Sequence, residues 1–249
     1  MASGLRVERD GPVLRITLAR PERRNAFDAR LIAALHEAFG DVGDARAVVL
    51  AGDGPNFCAG ADVEWQRTSI ELTLDENAED ALRLYRMLEA VDSCPAPVVA
   101  RVHGYALGGG CGLTACADFA VAAPDAVFGF PEVKLGIIPA VISPFVFDRI
   151  GAARARRYFL TGERFDAETA LHIGLVGEIA DDLDEAVDRV VAELLSSGPE
   201  AVRAAKRLAR ERRPTGDELA RLAAHMRSSP EGQEGLRAFL EKRPAAWRA

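Results

Sequence analysis

Apolar and polar residues alternate over Val13–Leu18 (VLRITL), which predicts a half-buried strand after the turn Asp10-Gly11-Pro12. Leu31, Ile32, Leu35 and Phe39 then recur at helical spacing and predict a helix over about 28–39 with one buried face. Residues 47–50 (AVVL) form a continuous apolar run, which suits a strand buried on both sides. Helical spacing returns over about 72–91, with Leu82, Tyr85 and Leu88 in register, and Cys94-Pro95-Ala96-Pro97 ends it. Val98, Val99 and Val102 predict a second buried strand. The small residues Cys111, Gly112, Thr114, Ala115, Cys116 and Ala117 suit a short buried helix, with a strand-like run at 118–122 behind it. Ser143-Pro144 reads as an N-cap and first helical residue. Helical pieces at about 152–160 and 166–173 and a strand at 175–179 follow. From Leu183 onward every segment reads as helix, at about 183–196, 199–211, 215–227 and 230–242. Thr215 with Glu218 forms a capping box, and Ser229-Pro230 repeats the N-cap and first-turn pattern. Strands alternating with helices, then helices alone, argue for an α/β core with a C-terminal helical subdomain. The composition shift at Ser196-Ser197-Gly198-Pro199 marks the only candidate boundary, dividing 1–197 from 198–249.

Bulk composition narrows the chemistry. At 249 residues, 49% hydrophobic and 28% charged, the chain fits one large soluble domain, with room for an appendage. A net charge of -7 argues against nucleic acid or an anionic membrane as partner, so any phosphate ligand needs a local cluster of Arg and Lys. Cys58, Cys94, Cys111 and Cys116 show no CxxC spacing and are expected to be reduced, buried thiols. The four histidines are scattered and no HExxH occurs, so no metal site is expected. The stretch MASGLRVERDG lacks a signal-peptide core, and no apolar run approaches the ~18 residues of a membrane span, which predicts a cytoplasmic protein.

Two glycine-rich stretches carry the candidate chemistry. AGDGPNFCAGADVEW follows the apolar run at 47–50, and GYALGGGCG follows the one at 98–102. In an α/β core both reach the same edge of a sheet, where two backbone N–H groups can converge on one oxygen. Gly108, Gly109 and Gly110 stand in a row, at an entropic cost that implies a close approach to the main chain. A helix starting there presents free N–H groups to an anion. Glu132 lies in the apolar context FGFPEVKLGIIP, where desolvation raises a carboxyl pKa toward neutrality. Gly110, Gly112 and Ala115 also satisfy G-x-G-x-x-A. Only about five residues separate Gly112 from the next strand-like run, too few for the crossover helix of a ~30-residue dinucleotide-binding unit.

RRNAF, FCAGAD, GYALGGGCGL, PEVKLGIIP and EGQEGLRAFLEKR, in that order, resemble the crotonase (enoyl-CoA hydratase/isomerase) superfamily across essentially the whole chain. The resemblance implies a spiral of ββα units and a C-terminal helical region, 198–249, that builds a homotrimer or dimer of trimers. It implies an acyl-CoA thioester substrate bound by 1–197, with coenzyme A as part of the substrate and no separate cofactor. By position, the Ala61 and Gly109 amides would form the oxyanion hole and Glu132 would be the catalytic carboxylate. Arg23, Arg24 and Ala26, together with Ala59, Gly60, Asp62, Val63 and Gly108, would line the path of the CoA ester. Lys242 of a neighbouring subunit would approach the CoA phosphates, although Arg23, Arg24 and Lys242 read equally as solvated surface charges.

The chain departs from the hydratase pattern at two places. Hydratases of the superfamily carry one glutamate just after GGGC and another after the proline of the PE motif. Here the first position is Gly112 and only Glu132 is present, and AVISPF replaces the usual glycine-rich segment after IP. A single glutamate resembles the arrangement of double-bond isomerases. KLGIIPAVISPFV, RRYFLTGERFDA and EGQEGLRAFLEKR are more similar to the bacterial methylglutaconyl-CoA hydratase branch and its isohexenyl relative. The expected activity is hydration of a 2-enoyl-CoA thioester, with isomerisation or a silent CoA-ester-binding paralogue as alternatives.

Overall fold

The computed structural model describes residues 4–210 and 214–248; position 211, the expected end of one helix, lies outside them, as do residues 1–3 of the N-terminal stretch. A hairpin of β1 (Leu5–Asp10) and β2 (Val13–Leu18) leads through a short turn at Pro21–Arg23 into α1 (Ala29–Gly40) and β3 (Ala47–Gly52). Asp28 caps α1, its carboxylate accepting the Leu31 N–H. Next come α2 (Val63–Ser69), α3 (Leu74–Asp92), β4 (Val98–Val102), β5 (Tyr105–Leu107), α4 (Gly109–Cys116), β6 (Phe119–Ala122) and β7 (Val127–Gly129). A 3-10 turn at Pro131–Leu135 precedes α5 (Ser143–Ile150), α6 (Ala152–Thr161), β8 (Arg164–Asp166), α7 (Ala167–Ile173) and β9 (Glu178–Ile179). The chain closes with α8 (Leu183–Ser196), α9 (Pro199–Arg210), α10 (Gly216–Ser228) and α11 (Pro230–Glu241).

The strands form a six-stranded sheet, in the order β1-β2-β3-β4-β6-β9, and a three-stranded sheet, β5-β7-β8. Apart from the β1–β2 hairpin the larger sheet is parallel. Successive turns of the spiral place one strand in each sheet, β4 then β5, β6 then β7. Both faces of the larger sheet are covered, which accounts for the unbroken apolar run at 47–50. Ala47 and Val49 face α8, packing with Leu183, Val187 and Val191. Val48 and Leu50 face the main core, which includes Leu31 and Leu35 of α1 and Met87 and Leu88 of α3. Each such side chain removed from water contributes roughly 1.5–3 kcal/mol. All four cysteines are free and buried.

Several local expectations change. Ser143 does not cap α5: it is the first helical residue, and its N–H and hydroxyl both donate to Ala140 O, at 3.2 and 2.7 Å. The hydroxyl is thereby turned back into the preceding turn. The strand expected at 175–179 shortens to Glu178–Ile179, because the Leu175 and Val176 amides are used on Ala170 O at the end of α7. The three-residue strands β5, β7 and β8 and the short α2 carry too few residues to show a period. Both expected capping patterns near the C-terminus are present, at Thr215 and Ser229. In α9, Lys206 pairs with Asp118 at 2.6 Å and Arg203 donates to Ala45 O, tying this helix to its own core. No helix among the described residues is long and apolar enough to cross a membrane.

Candidate active site

The parallel pairing of β3 with β4 carries the two glycine-rich stretches to one edge of the sheet. Phe57 and Cys58, apolar residues in what reads as loop, are fully buried and stitch the stretches together. Phe57 N–H donates to His103 O (2.8 Å), Cys58 N–H to Tyr105 O (2.9 Å), and Leu107 N–H to Cys58 O (3.0 Å). This zipper delivers Ala59, Gly60 and Ala61 beside Gly108 and Gly109.

Ala61 is held from the other side by Phe27. Phe27 N–H donates to Gly60 O at 2.7 Å and Phe27 O accepts the Asp62 N–H at 2.8 Å. Because successive backbone groups in an extended segment point to opposite sides, the Ala61 N–H is turned away from Phe27. Gly109 opens α4, so its N–H is one of the first-turn donors with no partner inside the helix. Neither amide donates to a backbone carbonyl among the described residues. A Cβ placed on Gly60 would lie 3.8 Å from the Gly109 nitrogen, so the two glycine-rich stretches run side by side there.

The glycine run is explained by what surrounds it. The Phe27 ring lies against the Cα of Gly109, and Cys58 O lies against Gly110, leaving no room for a side chain on either. Gly108 has φ +50, and a Cβ on it would stand 2.9 Å from Glu132 Oε1. The carboxylate expected from the sequence to be catalytic is therefore directly beside the glycine run that leads into Gly109. Glu132 sits in the turn Pro131–Leu135, not an irregular loop. That turn is anchored by buried Phe130, whose ring lies 4.8 Å from that of Phe159, and by a bond from Gly108 N–H to Gly129 O (2.9 Å). Glu132 Oε2 is buried without a hydrogen-bond partner. Burial pushes its carboxyl above the usual glutamate range, because the charged form loses water and its own backbone N–H offsets that only in part.

These groups share a cavity of about 300 Å³, to which Ala59, Gly60, Ala61, Gly108, Gly109 and Glu132 all contribute. The remaining expected residues lie outside its lining. Arg23 and Arg24 are exposed, and only the main chain of Arg24 touches the site, accepting the Ala59 N–H at 3.0 Å. Ala26 is buried, and its carbonyl accepts from Arg20. Asp62 is a structural cap: it accepts the Glu64 N–H at the start of α2 and pairs with Arg20 at 3.4 Å. Val63 is 68% exposed. Lys242, at the exposed end of α11, borders a separate groove with Phe239 and Trp247.

Trp65 and Gln66 of α2 and Leu84 of α3 also line the cavity, as do Val141 and Ile142. The sequence points to the stretches 63–88 and 141–147 as pocket walls, but its spacing does not show which side chains turn into the cavity. The local signal for α2 is Asp62 as N-cap with Glu64 behind it, which suits the positive end of a helix. What such a cavity can do is clear from its parts. Two free amides can stabilise an oxyanion, and one desolvated carboxylate beside them can move a proton.

The comparisons with known proteins agree. The family described as Enoyl-CoA hydratase/isomerase matches residues 8–249. Cyclohexa-1,5-dienecarbonyl-CoA hydratase of Thauera aromatica is 35% identical over 97% of this chain and 95% of that protein. Crotonyl-CoA hydratase of Syntrophomonas wolfei is 32% identical over 96% of this chain and 95% of that protein. The crystal structure of an enoyl-CoA hydratase from Shewanella pealeana superposes with a TM-score of 0.93 at 39% identity, covering 98% of this chain and 96% of that one. With its spiral fold and a match over nearly its whole length, the chain belongs to the enoyl-CoA hydratase/isomerase family of the crotonase superfamily.

Proposed function

We propose that the protein hydrates a 2-enoyl-CoA thioester. The observation that carries this reading is the buried, unpartnered Oε2 of the Glu132 side chain, which stands beside Gly108 in the same cavity as the free amides of Ala61 and Gly109. The thioester oxygen accepts from both amides. Glu132 takes a proton from water as the water oxygen bonds to C3 and the double-bond electrons move through C2 onto the thioester oxygen. The resulting enolate is held by the two N–H groups, each worth roughly 2.7–4 kcal/mol in comparable sites. Glu132 then returns the proton to C2 and the thioester carbonyl re-forms. CoA enters as part of the substrate, and this sequence of steps calls for no separate cofactor. Arg23, Arg24 and a neighbouring subunit's Lys242 are proposed for the phosphate end of the ligand, in a trimer or dimer of trimers.

A second reading, migration of the double bond by the same glutamate, draws support from the absence of a carboxylate at Gly112, where Ile142 packs instead. Following the absorbance of the conjugated thioester separates the readings. Hydration of crotonyl-CoA removes that chromophore, whereas isomerisation of a 3-enoyl-CoA creates it. A protein that binds both esters and changes neither is a silent paralogue, and the hydratase reading then fails.

A further inference from the structure

The acyl-CoA reading leaves open what kind of acyl group the cavity accepts, and the charge of its walls bears on that. Trp65, Leu84, Ile137, Ile138, Val141 and Ile142 supply hydrocarbon, and among the described residues the polar groups of the lining side chains are the Gln66 amide, the Trp65 indole N–H and the Glu132 carboxyl. Among the described residues no Lys, Arg or His lines the cavity. Two cations adjacent in sequence to lining residues of α2 and α3 are paired: Arg67 with Glu64 at 3.2 Å, and Arg83 with Asp80 at 3.5 Å. The apolar lining continues to the rim, where Leu135, Ile137 and Ile138 are 63%, 52% and 71% exposed.

We infer that the site selects an uncharged, hydrocarbon acyl group and discriminates against one that ends in a carboxylate. An acyl carboxylate brought into this cavity would lose water, find no counter-ion, and share a small apolar volume with Glu132, a group of the same sign. A buried ion without a partner is strongly unfavourable, and a like charge nearby adds to that. Burial alone already disfavours ionisation of Glu132, so a second anion would meet the same penalty in the same place. A methylglutaconyl group, whose distal end is a carboxylate, is thus the wrong charge for these walls. A straight or methyl-branched hydrocarbon chain is the right one.

This inference rests on the acyl-CoA reading but not on which reaction follows. The test uses saturated esters, which neither hydrate nor isomerise. Pentanoyl-CoA and glutaryl-CoA have the same number of acyl carbons and differ in a terminal methyl against a terminal carboxylate. Titration calorimetry of the full-length protein with each, at neutral pH and one ionic strength, compares them directly. Pentanoyl-CoA is expected to bind at least ~10-fold more tightly, the ratio corresponding to about 1.4 kcal/mol. A smaller ratio, or preference for glutaryl-CoA, overturns the inference while leaving the acyl-CoA reading intact. Binding of neither ester sinks both. Preference for pentanoyl-CoA in a protein that fails to hydrate crotonyl-CoA upholds the inference and removes only the hydratase assignment.

Discussion

Gly112 and Ile142 meet beneath the cavity: a Cβ on Gly112 would lie 2.8 Å from Ile142 Cγ2 and 3.5 Å from Leu88 Cδ2. The two departures from the hydratase pattern, a missing glutamate on α4 and an altered segment leading into α5, therefore meet at one contact. Ile142 is 3% exposed and fills the space into which a longer residue at 112 would project.

Restoring a glutamate at 112 should accordingly fail by itself. Gly112→Glu is expected to lose about 3 kcal/mol through overpacking and an unpaired buried carboxylate. Ile142→Ala should cost about 2–5 kcal/mol through the cavity it leaves. The double variant should be more stable than the sum predicts, by about 0.5–3 kcal/mol, since each change makes room for the other. Denaturant unfolding of the four proteins measures this, and strict additivity would show that Ile142 is not the obstacle.

Glu132→Gln keeps shape and polarity but cannot exchange a proton at neutral pH. Turnover of crotonyl-CoA should fall by ~10²–10⁴-fold, with little change in the affinity for pentanoyl-CoA, because the oxyanion donors are backbone groups. Near-normal hydration by this variant would remove Glu132 from its assigned role.

The same substitution should stabilise the protein. The folded carboxyl of Glu132 is raised above its unfolded value by burial, so the folded state holds its proton more tightly. Stability is then lost as pH rises from the ordinary glutamate range through the folded pKa, and the penalty persists above it. Glu132→Gln should therefore melt higher than the parent at pH 7, with the gap closing as pH falls below the ordinary glutamate range. A lower melting temperature at pH 7 would contradict the burial argument.

Gly108→Ala tests the contact between the glycine run and the carboxylate. The residue has φ +50 and its new methyl would press on Glu132 Oε1. Backbone strain of about 1–3 kcal/mol is expected, together with a fall in kcat caused by displacement of the carboxylate. A Gly108→Ala variant with parental kcat would mean that the two groups move independently.

The assembly proposed above can be tested at α11, where Phe239 is 80% and Leu240 76% exposed, a large apolar area for a chain in water. Light scattering at micromolar concentration should give a trimer or dimer of trimers, and Phe239→Glu should shift it toward monomer. Lys242→Ala, one residue beyond that helix's last turn, should weaken binding of CoA esters at low salt and leave turnover at saturation unchanged. Unchanged affinity at low salt would take Lys242 out of the ligand's path.

Residues near in sequence determined much of this protein. The alternation of Val13–Leu18, the two-sided burial of residues 47–50 and the caps at Asp28, Thr215 and Ser229 depend on neighbours within one or two turns. Local spacing therefore carries them. The ordered motifs from RRNAF to EGQEGLRAFLEKR also pointed to the family, and Glu132 stood out as a carboxylate among apolar residues. Other features were decided only by tertiary structure, because their partners are distant along the chain. Phe57 and Cys58 became a strand-like zipper through the carbonyls of His103 and Tyr105, and that pairing brought the Ala61 and Gly109 amides together. Strands β5, β7 and β8 are three residues each and exist by pairing with one another. Ser143 looked like a cap until the chain turned at Ala140 and took its hydroxyl. The packing of Ile142 on Gly112 is of the same kind: nothing local to either residue requires it, and the folded core permits no larger side chain between them.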